Sequence, residues 1–182
     1  MASNARSELS PRARQIVDAA RELLEQEGPE ALSMRRVAAR LGIRAPSLYE
    51  HLADKQALEA ALISAGFEES AELFAAAVHG SDEPLAALAA AYRDFARRHP
   101  HLYRLMTDRP LPRERLVPGV EDRAALPVLQ ATGGDATRAR AAWAFAHGMA
   151  ILELNGRFPP DADLDAAWRE GIEAFAAQAS KP

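Results

Sequence analysis

The sequence has no cysteine, so neither a disulfide framework nor a thiolate metal site is available, which fits a reducing compartment. Long apolar runs are missing too. The nearest approach, Ala141 to Leu152, is interrupted by His147 and stops well short of the ~20 residues a bilayer requires. The opening stretch MASNARSELSPRAR lacks an apolar core, so no secretory signal is expected and the chain is expected to be cytoplasmic. No segment alternates apolar and polar residues as a half-buried strand would, and no Asn-Gly turn marks a hairpin. Glycine-rich phosphate loops, serine elbows and paired-acid motifs are absent. The histidines are scattered. Only His99 and His101 are close, with no carboxylate at ligand spacing, and Glu153 lies off the helical face of His147. No catalytic residue, metal or cofactor is therefore expected. Lysine is scarce, two residues against twenty arginines, a pattern that points to coding bias in a GC-rich genome.

What is present is 182 residues, 48% hydrophobic, with a net charge of −4. That composition is globular, and the length suits one core with a small appended domain. The acidity speaks against nucleic acid until its distribution is read. Residues 33–55 carry Arg35, Arg36, Arg40, Arg44 and Lys55 against Glu50 and Asp54, a local +3, whereas residues 56–182 sum to −5. Basic charge is thus concentrated on one short segment.

That segment, SMRRVAARLGIRAPSLYEHLADK (33–55), has the spacing of a helix-turn-helix. Ala38 is small enough for a close helix crossing, and Gly42 can take the positive φ of a tight turn. Val37, Leu41, Ile43, Leu48 and Leu52 supply apolar contacts between the two helices. Pro46 suits a first helical turn, where its missing N–H costs nothing. The face left over carries Ser33, Arg35, Arg36, Arg44, Ser47, Tyr49, His51 and Lys55, which is the chemistry of a DNA-facing surface. An ordinary αα-hairpin with a solvated basic side is the plainer alternative.

At these residues the chain resembles the TetR-type transcriptional regulators. The resemblance runs over about Pro11 to Leu62, carried by LSMRRVAARLGI (32–43), the small-Pro-Ser-Leu-Tyr run at 45–49, His51 and Asp54-Lys55. It extends more weakly to WAFAHG (143–148) and LELNGRF (152–158), which look like the Trp-His-Gly type of C-terminal domain found in some members. Geometry together with this pattern assigns DNA-binding roles. Ser33 and the first turn of its helix suit a phosphate, and Arg35 a phosphate or a guanine edge. Arg44, Ala45, Pro46 and Ser47 open the recognition helix, where arginine reads guanine and alanine or proline meets a thymine methyl. Tyr49, His51 and Lys55 suit backbone phosphates. Tyr49 as a core aromatic is the alternative at that position. Glu50 suits a cytosine amine, an arginine or water. Arg36 and Arg40 read as solvated.

The rest of the chain reads as helices. Ser10-Pro11 opens the first and Gly28-Pro29 closes it. The recognition helix is expected over about Ala45 to His51. Asp54 caps a long fourth helix that joins the DNA motif rigidly to the larger C-terminal part, so tilting it would move the DNA reader. Further helices are expected up to His99-Pro100, then a short one, a loop over 108–120, and a helix over about Glu121 to Ala131 that Pro127 would kink or delay. Asp135 caps one running to about Phe158, and the last spans about Ala162 to Ala179. The expected fold is all-α, with a helix-turn-helix DNA-binding domain (10–55) and a helical effector-binding and dimerisation domain (56–182). Phe67, Tyr92, Phe95, Tyr103, Met106, Trp143, His147 and Met149 are the candidate lining of an effector pocket, apolar with few donors. A packed core with no ligand is the alternative. Small-residue stripes, Ala142, Ala146 and Ala150 on one helix and Ala167, Gly171 and Ala174 on the other, allow close packing. The resemblance implies that these two helices pair with their copies in a homodimer; an internal contact is the alternative. The expected function is a DNA-binding transcriptional regulator, a repressor released by a small hydrophobic or aromatic effector, acting as a homodimer on an inverted-repeat operator without a membrane partner. The rivals are a DNA-binding protein with no effector and an all-α enzyme.

Overall fold

The computed structural model describes residues 9–176, and every regular element among them is helical. The expected reading of the first eight residues and of the last helix beyond Ala176 lies outside the described residues. The helices are α1 (Pro11–Glu27), α2 (Met34–Arg40), α3 (Pro46–Tyr49), α4 (Lys55–Val78), α5 (Pro84–Arg98), α6 (Pro100–Thr107), α7 (Val120–Ala131), α8 (Ala136–Leu154) and α9 (Leu164–Ala176). No helix among the described residues is long and apolar enough to cross a membrane.

Local chemistry sets these boundaries. Ser10 accepts from the Ala13 N–H and Pro11 starts α1 without wasting a donor, while Gly28 ends it at φ +80°. Ser33 caps α2, and Asp135 caps α8 by accepting from the N–H groups of Thr137 and Arg138. α3 ends at Tyr49 rather than His51, and α8 stops at Leu154 rather than near Phe158. α7 starts at Val120 and runs through Pro127. The proline neither delays that helix nor ends it, although the i−4 carbonyl necessarily loses its partner there.

The described chain forms two compact units, and their limits differ from the expected boundary at 55/56. One comprises residues up to 68 together with 99–120; the other comprises 69–98 with 121 onward. In the first unit, Glu25 of α1 accepts from the backbone N–H groups of His101 (3.3 Å) and Leu102 (3.0 Å), so it caps the start of α6. Gly66 on α4 leaves room for the same helix: a Cβ there would lie 2.6 Å from Met106 Sδ and 3.0 Å from Leu102 Cδ2. Ser64 Oγ accepts from the Val117 N–H at 3.1 Å. The apolar core of this unit includes Ile16, Leu24, Val37, Leu48, Leu58, Leu62 and Leu102, all but inaccessible to solvent.

In the second unit, α5, α8 and α9 pack on one another. Ala142, Ala146 and Ala150 are buried within the chain. The small stripe selected on α8 therefore serves an internal helix contact, which corrects its assignment to a dimer surface. Gly171 likewise faces inward: a Cβ there would collide with the Phe145 ring. Arg93 of α5 bonds Glu153 of α8 (2.8 and 3.0 Å) and Asp165 of α9, and lies over the Trp168 ring, whose N–H donates to Glu153 at 3.2 Å. One guanidinium thus ties three helices.

Candidate functional site

The helix-turn-helix is built as its residues suggest. Val37, Ala38, Leu48 and Leu52 are buried and Leu41 and Ile43 half-buried. Gly42 turns the chain at φ +65° with nothing within 4 Å of where a Cβ would sit. Backbone strain alone reserves this position for glycine.

Outside that core the basic residues divide into two sets. Arg36 pairs with Glu27, and Arg40 bonds Glu22 (2.9 Å) and Gln26 (3.0 Å), so both are tied back onto α1. Arg35 and Arg44 are exposed and have no hydrogen-bond or ion-pair partner among the described residues. Pro46, Ser47, Glu50 and His51 are exposed and Ala45 is half-buried. Tyr49 is 52% exposed, which rules out a core aromatic. Ser33 Oγ accepts from the Arg36 N–H at 3.3 Å. Lys55 is exposed and paired with Glu59 one turn on (3.4 Å), a link weak enough for a phosphate to compete with. Asp54 Oδ1 accepts from the Ala57 N–H at 2.7 Å, and that bond, helped by Arg115, holds the Asp54 carboxyl below its ordinary range. The result is a face with two unshared arginines, Arg35 in the first turn of α2 and Arg44 just before α3, while Arg36 and Arg40 are neutralised on α1.

The residues selected for an effector pocket divide between the two units. Phe67, Tyr103 and Met106 belong to the first unit; Tyr92, Phe95, Trp143, His147 and Met149 belong to the second. Tyr103 and Met106 are buried, and Phe67 is half-buried. In the second unit, Tyr92 and Phe95 are buried around Phe74, at ring distances of 5.7 and 6.3 Å. Trp143 is 50% exposed and stacks on His147 at 6.0 Å. Beside Trp143 lies an apolar crevice of about 20 Å³, floored by Leu88, Ala146 and Ile172 and walled by Tyr92 and Val128. That volume is about one water, so a ligand would have to open it. Of the residues selected, only Tyr92 and Trp143 line this crevice. Leu88, Val128 and Ile172 join them there as ordinary apolar helix positions, which carry no signal in a sequence.

Residues 16–62 match the family model described as bacterial regulatory proteins, tetR family, and residues 85–175 match the tetracyclin repressor-like C-terminal domain. An uncharacterised HTH-type transcriptional regulator of Mycobacterium tuberculosis is 29% identical over 172 residues, covering 89% of this chain and 78% of that protein. The class D tetracycline repressor protein of Escherichia coli is 47% identical over 47 residues, 26% of this chain and 22% of its own. Among solved structures, a protein of unknown function from Rhodococcus sp. RHA1 superposes with a TM-score of 0.77 at 25% identity, covering 94% of this chain and 96% of that one.

Proposed function

This chain belongs to the tetR family of bacterial regulatory proteins and is a DNA-binding transcriptional regulator, and on that footing we propose that it is a homodimeric repressor of an inverted-repeat operator, released by a small apolar effector. The observation that carries the DNA reading is the division of the basic residues: Arg36 and Arg40 are tied to α1, while Arg35 and Arg44 have no partner among the described residues. Arg44, Ala45, Pro46 and Ser47 are the base-reading end of the recognition helix. Ser33, Arg35, Tyr49, His51 and Lys55 hold the backbone. Selection from random duplex DNA should enrich an inverted repeat whose half-sites lie about one to one and a half helical turns apart, bound with a strong salt dependence. No enriched repeat, or binding indifferent to salt, would contradict this reading.

The dimer is proposed to use the outward faces of α8 and α9. Ala141, Ala144 and Leu152 on α8, and Ala167 and Ala174 on α9, are exposed small or apolar positions, and Gly148 between them has nothing within 4 Å of a built Cβ. Two recognition helices on one symmetric site need two copies of the chain. The effector is proposed to enter beside Trp143, a half-exposed indole over an apolar crevice, and to alter DNA affinity only by its unequal affinity for the DNA-bound and free states. If a compound that releases DNA binds Trp143→Ala and His147→Ala as tightly as the parent, with the fold intact, this placement fails.

A further inference from the structure

A second opening is larger and lies in the other unit. It is a cleft of about 250 Å³ between the first turns of α4 and the segment after α6. Its apolar floor is Ile63, Leu105 and Leu111, and its rim carries four charges: Glu59, Arg109, Glu114 and Arg115. Two of these are already engaged. Glu59 faces Lys55 at 3.4 Å, and Arg115 Nη1 lies 3.2 Å from both carboxylate oxygens of Asp54. Arg109 and Glu114 have no partner among the described residues. Glu114 stands between Arg113 and Arg115 in a single 3₁₀ turn, and the two cations of the rim match its two anions in number. Arg109 offers an open guanidinium fork at the edge of an apolar floor. That combination suits the planar carboxylate of a small amphipathic molecule.

We propose that this cleft binds a small amphipathic carboxylate, aromatic or short-chain, with its anionic group on Arg109 and its apolar body on Ile63, Leu105 and Leu111. The proposal adds a ligand site to the control reading above and depends on it only for the consequence for DNA. Arg115 lies within reach of the same anion, and the ligand competes with Asp54 for it. Asp54 directly precedes Lys55, the residue assigned to a backbone phosphate. Withdrawing Arg115 leaves the Asp54 charge uncompensated beside that phosphate, so ligand binding weakens DNA binding.

The test uses the full chain and benzoate, with benzamide and benzylamine as the uncharged and cationic counterparts. Binding is titrated calorimetrically without DNA at fixed ionic strength, and DNA affinity is measured separately with and without saturating benzoate. Benzoate should bind at least tenfold more tightly than either counterpart, and Arg109→Ala should lose about tenfold in benzoate affinity while Trp143→Ala does not. Saturating benzoate should lower DNA affinity several-fold. In Asp54→Asn, which keeps a capping side chain, benzoate should still bind but the effect on DNA should vanish. Equal binding of benzamide, preference for benzylamine, or an unaltered Arg109→Ala overturns the site. Arg109-dependent binding that leaves DNA affinity unchanged overturns the control consequence and leaves the site standing.

Discussion

Four arginines lie on or beside the helix-turn-helix, and their partners decide what each can do for DNA. An arginine already held by a carboxylate must exchange one anion for another before it meets a phosphate, so Arg36 and Arg40 gain little there. Arg35 and Arg44 exchange only water. Arg44→Ala is therefore expected to cost about 1–3 kcal/mol on the specific site, and less on unrelated DNA, if it reads a guanine. Lys55→Ala should weaken all sequences alike and lower the slope of log affinity against log salt by about one. Arg40→Ala serves as the contrast: the slope should stay put, with a loss of stability below about 1 kcal/mol, because its ion pair with Glu22 is exposed. Fluorescence anisotropy across a salt series reads all three variants. A slope that falls as much for Arg40→Ala as for Lys55→Ala would mean that the partners seen here do not govern the DNA face.

Helix packing in the second unit depends on one charged cluster and one glycine. Arg93 joins Glu153, Asp165 and Trp168, and Glu153 raises the affinity of the Arg93 guanidinium for its proton. Burial pushes the Glu153 carboxyl up, but bonds from Arg93 and Trp168 outweigh it and hold it below its ordinary value; the Arg93 bond does the same for Asp165. Carboxyls depressed in the folded state contribute stability above their unfolded values, near 4, and lose it as pH falls through the folded ones. Unfolding followed by tryptophan fluorescence should thus show stability flat from about pH 5 to 8 and declining below about 4. Both tryptophans, Trp143 and Trp168, report from this unit. Arg93→Met should cost about 2–3 kcal/mol at neutral pH and flatten the acid limb; an unchanged limb would place the acid sensitivity elsewhere. Gly171→Ala should cost about 1–3 kcal/mol by driving a methyl into Phe145, whereas Gly148→Ala meets nothing within its own chain and should gain about 0.5–1 kcal/mol from helix propensity in the monomer, any loss in the dimer reporting on the proposed partner helix. Nothing in the sequence separates these two glycines, since both interrupt apolar helices of similar composition. The helix-turn-helix was legible for the opposite reason: Gly42, Pro46 and the burial of Val37 and Leu48 follow from local turn and helix rules. The α8 stripe was misread because small residues license close packing without naming the partner, and only the burial of Ala142, Ala146 and Ala150 names it. Glu25 capping α6 was invisible because it joins residues more than seventy positions apart.

A chain of net charge −4 binds a polyanion only if its few unshared cations act together. Doubling them through a two-fold axis is the economical way, and that is why the proposed dimer matters to affinity as well as to operator symmetry. The face to perturb is the outward one. Ala146→Arg would bury a charge in the chain's own core, at a position 6% exposed, and would report on folding instead. Ala144 is exposed, so Ala144→Arg should leave helicity and the thermal midpoint close to the parent while shifting sedimentation from dimer to monomer at micromolar concentration. It should also lower affinity for the inverted repeat by more than tenfold and roughly halve the salt slope, because each monomer contacts only half the phosphates. The substitution adds a positive charge, and bulk electrostatics alone would strengthen DNA binding. A loss of affinity in a folded monomer therefore has to come from the lost second copy. A variant that stays dimeric would move the symmetric contact away from α8 and α9, and a parent chain that sediments as a monomer would overturn the dimer itself.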